Sequence, residues 1–271
     1  MRRFAAHVLI CLLMCMVVAA CDFSPAPPPL PTVANVQAGQ TAIYLTKNAP
    51  PPGFEQSVQF PQIDANLSNL PGWHYTVGLY FDGVFAGTSD RAQGSLNADV
   101  SSNELSGDRR VLLKASGAAF GLQQDRNVEG VRLGNDYYLV DANKVCTKIA
   151  QPGTSQQVAD LKAGSLIGGV KLATPMGERK TDNKVDVWEY SFTPENVIPP
   201  TLQIGSAGKL TVAAGDLWVA PSVKGVWQYT ITLDAENVLL QGDRPLTGQI
   251  RATYQLIETG VQYNIAIPYG C

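Results

Sequence analysis

From Trp73 onward the chain alternates apolar and polar residues with a period of two. Tyr75, Val77, Leu79 and Phe81 take one side, Thr76, Gly78 and Tyr80 the other, and Asp82-Gly83 reads as a turn. Leu96, Ala98 and Val100 alternate with Ser95, Asn97 and Asp99. Val111 to Phe120 reads as a longer strand bent at Gly117. Val128 to Leu133 and Asp136 to Val140 flank Gly134-Asn135, a hairpin turn. The C-terminal part is plainest. Trp227, Tyr229, Ile231 and Leu233 face one way, and Gln228, Thr230, Thr232 and Asp234 the other. Ile250, Ala252, Tyr254 and Leu256 repeat the pattern, and Val261, Tyr263, Ile265 and Ile267 repeat it again after Gly260. One apolar face and one wet face predict an antiparallel meander.

Other stretches modify this picture. Thr41 to Thr46 reads as a short strand, ended by Pro50-Pro51-Pro52-Gly53. Gln62 to Leu70 places Ile63, Leu67 and Leu70 at helical spacing, and Ser155 to Ile167 does the same with Val158, Leu161 and Leu166. Val185 to Phe192 is apolar on both faces, which predicts a central strand. Leu210 to Ala214 and Leu217 to Ala220 read as two strands separated by Gly215-Asp216. A sheet with one apolar face must cover it, and two short helices are little cover. The fold class predicted is mainly β with a few short helices: a large curved antiparallel sheet, a half-open β-barrel closed by helices. A wide sheet with a thin lid tends to enclose a cavity.

Ahead of these elements stands a different kind of segment. Arg2 and Arg3 precede an apolar run from Phe4 to Val18 without an acidic residue, and Ala19 and Ala20 lead into Cys21. This is the layout of a secretory signal peptide, too short for a spanning helix. Val18-Ala19-Ala20-Cys21 resembles the lipobox of bacterial lipoproteins, in which the cysteine is acylated and the preceding peptide removed. An ordinary cleaved signal that happens to contain a cysteine, or an uncleaved N-terminal anchor, is the competing reading. Each buried methylene contributes about 0.8 kcal/mol, so several acyl chains on Cys21 would hold the protein to a membrane. Ser24 to Pro31 is proline-rich and reads as an extended spacer.

The domain organisation follows: residues 1–20 signal peptide, 21–35 lipidated cysteine and linker, 36–271 one β-rich half-barrel domain with two halves joined near 150–168. Cleavage before Cys21 removes 20 of 271 residues and leaves 251. Removing Arg2 and Arg3 from the 20 basic residues leaves 18 against 23 acidic, a net charge of −5. No basic cluster points to nucleic acid. Beyond the anchor only Cys146 and Cys271 remain, and an extracytoplasmic compartment favours a disulfide between them over two free thiols. The expected location is the extracytoplasmic face of a bacterial membrane, within the cell envelope.

A family resemblance rests on this order of features. The lipobox and linker are followed by a short helix and a run of antiparallel strands. A second helix precedes Val185-Asp186-Val187-Trp188-Glu189-Tyr190. Gly215-Asp216-Leu217-Trp218-Val219-Ala220 comes next, and a strand ends in Ile265-Ala266-Ile267-Pro268. The chain resembles the LolA/LolB-like and LppX/LprG-like lipoproteins. The resemblance implies a half-open β-barrel whose apolar cavity takes acyl chains.

Catalytic chemistry finds little support. A triad would need His74, the mature chain's one histidine, and no Gly-x-Ser-x-Gly elbow surrounds a serine. Asp182 and Asp186 share strand parity, which a plain polar face explains. Asp64 and Asn66 do not make a calcium loop. No metal or cofactor is expected, and the protein reads as a non-enzyme. The cavity candidates are Val77, Leu79, Phe81, Trp188, Trp218, Trp227, Tyr229, Ile231 and Tyr254. Each fits an ordinary core equally, because a half-barrel's inner face is both core and pocket. The function expected is the holding or carrying of a lipid or other apolar ligand by a membrane-anchored protein. The alternative is a structural or adhesive envelope protein with a filled core.

Overall fold

Why the chain forms these elements is clearest in the computed structural model, which describes residues 36–149, 153–200, 203–240 and 244–271. The segment expected to be a signal peptide, Cys21 and the proline-rich linker lie outside the described residues. Helix α1 spans Val36–Asn48, where a strand was expected at Thr41–Thr46. A short alternating run does not by itself separate strand from helix. Residues 36–48 contain no proline, and the prolines from Pro50 onward set the helix end.

From Leu45 on, the described residues form one compact unit. Its strands are β1 (Val58–Phe60), β2 (Gly72–Phe85), β3 (Arg91–Asn103), β4 (Asp108–Ser116), β5 (Arg126–Leu133), β6 (Asp136–Val140) and β7 (Cys146–Ile149). After helices α2 (Thr154–Ala159) and α3 (Ala163–Ile167) come β8 (Gly169–Asp182), β9 (Val185–Ser191), β10 (Val197–Ile198), β11 (Gln203–Ala220), β12 (Gly225–Leu239) and β13 (Leu246–Thr259). They form one 13-stranded sheet in the order β1-β8-β9-β11-β12-β13-β2-β3-β4-β5-β6-β7, with β10 beside β8. The pairings are antiparallel, and the sheet does not close into a barrel. The two halves of the chain meet at the β13–β2 ladder, which runs from Leu246↔Phe85 to Thr259↔Trp73.

The alternation of β2, β12 and β13 sorts their residues as the sequence implies. Their apolar positions face inward and are buried, and their polar positions face out. The inner face is covered by short pieces. The 3-10 turn Ala65–Asn69 packs on β12, α2 on β4 to β6, and α3 on β2 and β13. Ile63 and Leu67 are buried beneath this cover and join the core. The helix expected over Gln62–Leu70 is thus reduced to the Ala65–Asn69 turn. The one expected over Ser155–Ile167 is broken into α2 and α3. The break falls beside Asp160, whose carboxylate accepts from Arg132 (2.6 Å) and Tyr137 (3.2 Å) on the sheet.

Four other expectations change. The strand expected over Val111–Phe120 is β4, which ends at Ser116; Gly117, with φ 90, breaks it, and Ala118–Phe120 is a 3-10 turn. Gly215-Asp216 is no turn but lies inside the continuous strand β11. A Cβ at Gly215 would stand 2.5 Å from Phe192 Cζ, so a larger residue there would have to push that ring aside. Asp82-Gly83 likewise lies within β2. Val261–Ile267, expected as a last strand, makes no sheet pairing. The reason is topological: β13 already has β12 on one side and β2 on the other, so a strand that follows it cannot pair with it as a hairpin.

The C-terminal segment instead becomes a strap across the outer face. Gly260 N donates to Gly72 O (2.8 Å), and Asn103 Nδ2 donates to Tyr263 O (3.1 Å). Residues 263–269 line a shallow groove with Ser101, Arg110 and Glu129. The strap ends at Cys271, joined by a disulfide to Cys146 at the start of β7, with the Cα atoms 5.3 Å apart.

Candidate functional site

The inner face is built from cross-strand ladders. Tyr229 pairs with Tyr254, Tyr254 with Val77, and Val77 with Ala98. One step along, Ile231 pairs with Ala252, Ala252 with Leu79, and Leu79 with Leu96. Leu233, Ile250 and Phe81 form the next rung. Val77, Leu79, Phe81, Trp227, Tyr229, Ile231 and Tyr254 therefore come together in one buried cluster.

Trp188 also belongs to this cluster and stands at its margin, where its Nε1 donates to Asn48 O (3.0 Å). Trp218 does not belong with the others. It pairs with Gln228 and Glu189, on the outer side of β11, and the Lys180 ammonium lies 3.8 Å from its ring centroid. Leu217, one residue earlier, takes the inner position opposite Tyr229. Period-two parity thus places Trp218 on the opposite side of β11 from Leu217, where it is partly buried and packs against the core.

At the cover, the inner face turns polar around Tyr75. Its hydroxyl donates to Asp64 Oδ2 (3.3 Å) and accepts from Arg109 (3.2 Å) and from Ala163 N (3.1 Å). Asp64 also accepts from Ala163 N (2.7 Å) and Gly164 N (3.0 Å), so a residue distant in sequence caps the first turn of α3. Arg109 donates to Leu161 O, between the two helices, and lies 4.9 Å from the Trp73 ring centroid. The Tyr75 phenol is pushed well above its ordinary pKa by burial, which the Arg109 charge opposes in part. These residues clasp the 61–70 segment and both helices to the sheet. No local pattern marks Asp64, Tyr75 or Arg109 as partners; Arg109, a charge at an inward position of β4, was the one available signal.

Among the described residues, four buried side-chain polar atoms lack a hydrogen-bond partner: Arg109 Nε, Ser155 Oγ on α2, Tyr229 Oη and Tyr254 Oη. Burial pushes both phenols far above their ordinary pKa, with Tyr75 and Asp64 adding to the effect at Tyr254. Buried hydroxyls normally find a partner, so two adjacent ones without any are unusual.

The remaining sequence candidates have ordinary partners. His74 faces outward, with Nε2 3.0 Å from Asp99 Oδ1. Asp182 accepts from Trp227 Nε1 (2.8 Å), whereas Asp186 accepts from Thr181 and Arg179, so the two carboxylates have separate tasks. The hydrogen bond from the Thr181 hydroxyl, then that from Arg179, hold the Asp186 carboxyl below its usual range. A polar recess of about 690 Å³ lies outside the core, between Gly121–Val128 and Asp141–Asn143.

No family model matches the chain, and no curated protein matches it. Among solved structures, a DUF1329 family protein from Desulfovibrio piger aligns with a TM-score of 0.23 at 8% identity, covering 76% of this chain and 95% of that one. A likeness of that size carries no argument here.

Proposed function

We propose that this protein is a lipid-anchored, non-enzymatic component of the bacterial cell envelope that holds an apolar ligand on its inner face. Acylated Cys21 is the anchor in this reading, and the proline-rich linker is the tether. The Tyr229–Tyr254 pair carries the proposal. Each unpaired buried hydroxyl costs roughly 1–3 kcal/mol, and phenylalanine would fill the same space without that cost. An acceptor oxygen on a largely apolar ligand satisfies these donors. The rest of the ligand gains about 25 cal/mol per Å² on the surrounding aliphatic and aromatic wall. The cover consists of short pieces clasped at Tyr75, so the ligand enters by displacing them rather than by opening the sheet.

A second reading is favoured by one observation. Tyr75, Leu217 and Ile231 have no exposed surface at all, as in a filled core. On that reading the protein is a structural or adhesive envelope component, and buried water satisfies the phenols.

Native mass spectrometry of the full chain purified from its own membranes separates the two. The ligand reading expects co-purifying apolar mass beyond the anchor, reduced in the Tyr229→Phe/Tyr254→Phe double variant. No extractable ligand, together with a double variant that is merely more stable, rules it out. The anchor has its own test: Cys21→Ser should yield an unprocessed precursor that takes up no labelled fatty acid.

A further inference from the structure

We propose that the outer face of the sheet carries a binding platform for a neutral saccharide, centred on Tyr80. It is separate from the inner face and does not depend on what that face holds. Tyr80 projects outward from β2, with 41% of its surface exposed. Two residues earlier on the same side is Gly78. A Cβ at Gly78 would stand 2.8 Å from Tyr80 Cε2, 2.8 Å from Asn97 Oδ1 and 3.0 Å from Thr253 Oγ1. The missing side chain is what lets the Tyr80 ring lie down along the sheet. Its hydroxyl then donates to Asn97 Oδ1 at 2.5 Å. The ring is thereby fixed before anything binds, which removes an entropic cost of recognition.

Around the ring lies a groove of about 300 Å³, with Thr76, Asn97, Asp99, Lys114 and Thr253 among its walls. That volume is at the small end for ligand sites. The chemistry of the walls selects the ligand. A flat aromatic face contacts the polarised C–H groups of a pyranose ring. The surrounding hydroxyl, amide and ammonium groups donate to and accept from its equatorial hydroxyls. The Asp99 carboxylate and the Lys114 ammonium bring opposite charges to the groove, and Asp99 Oδ1 also meets His74 Nε2 at 3.0 Å, so neither sign dominates. The ordinary explanation of a tyrosine over a glycine is that it shields the exposed backbone. That role needs no groove of mixed polar and apolar walls beside it.

The test uses the full chain with chitotetraose and maltotetraose as probes, read by isothermal calorimetry and saturation-transfer NMR. Weak binding of at least one is expected, with affinity lowered at least about tenfold in Tyr80→Ala. Tyr80→Phe keeps the ring and should stay within about threefold of wild type. If Tyr80→Ala unfolds in a melting control, Thr76→Val and Lys114→Ala at the groove's rim take its place and must each weaken binding. The proposal is overturned if neither sugar binds wild type at about 10 mM, weaker than the millimolar range of measurable recognition. It is overturned equally if the variants bind as wild type does.

Discussion

The two faces of this sheet are covered in opposite ways. On the inside, pieces from residues 61–70 and 154–167 lie on the strands and are held by hydrogen bonds that converge on Tyr75. On the outside, one extended segment crosses the strands and is locked by the Cys146–Cys271 bond. The inner cover can lift and settle again with no covalent change. The outer strap cannot leave without chemistry. A protein that admits something to one face and must keep the other intact would be built in this way.

The largest expected effect comes from cutting the strap. Cys146 and Cys271 are 125 residues apart, so the chain-entropy model gives up to about 5 kcal/mol, with about 2–4 kcal/mol typical in practice. Cys146→Ser should lower Tm by calorimetry, and reductant should lower wild type by the same amount while leaving the variant unchanged. A loss below about 1 kcal/mol would mean that packing alone retains the strap.

Next is the inner clasp. Asp64→Ala strips the acceptor from Tyr75 and from two backbone N–H groups of α3, at a cost of about 2–3 kcal/mol. Hydrogen exchange should quicken at Ala163–Ile167 while β12 and β13 remain protected. Uniform loss of protection would instead make the cover part of the sheet's own cooperative unit.

Alkaline pH tests the same interior. Tyr229 and Tyr254 are held protonated in the folded protein well above the ordinary value of 10.0. Above about pH 10 the unfolded chain releases these protons and the folded one does not, so stability is full below pH 10 and falls as pH rises. For this pair the loss at pH 10.5 is about 1–2 kcal/mol. Tyr190, pushed up to about 12 by burial and then by Glu55, steepens the decline between about pH 10 and 12 and adds nothing beyond it. Urea titrations at pH 8 and 10.5 measure it, and the Tyr229→Phe/Tyr254→Phe variant should lose less.

The smallest effect belongs to the outer face. Lys180→Ala removes the ammonium from the Trp218 ring and should cost only about 0.5–1 kcal/mol. It should leave any inner-face ligand in place. A large loss of ligand would move Trp218 back into the inner site.

How much of this was legible in the sequence follows from range. The alternation of Tyr75–Phe81, Trp227–Leu233 and Ile250–Leu256 is local, and side-chain burial in β2, β12 and β13 follows it. Open antiparallel architecture follows from the same pattern. The failures are long-range. Gly215 resembles a turn residue until Phe192 is placed over it. Val261–Ile267 keeps the alternation of a strand, yet the neighbour it would need is taken by β2. Trp218 reads as one more apolar aromatic, and only its pairing with Gln228 puts it outside. Asp64 lies far from its partners in the chain, so nothing near it reveals that it caps a helix around residue 163.

The β13–β2 ladder has a consequence for the birth of the molecule. Its two strands come from opposite ends of the described chain, and they are neighbours in the middle of the sheet. While the polypeptide is being made, β2 to β7 can zip together by short hairpins, but one flank of β2 stays bare until β13 emerges. Pairing across so large a separation is slow, and a bare strand flank invites pairing with another chain. The seam that finishes the sheet is thus the step at which a nascent copy is most open to a wrong neighbour.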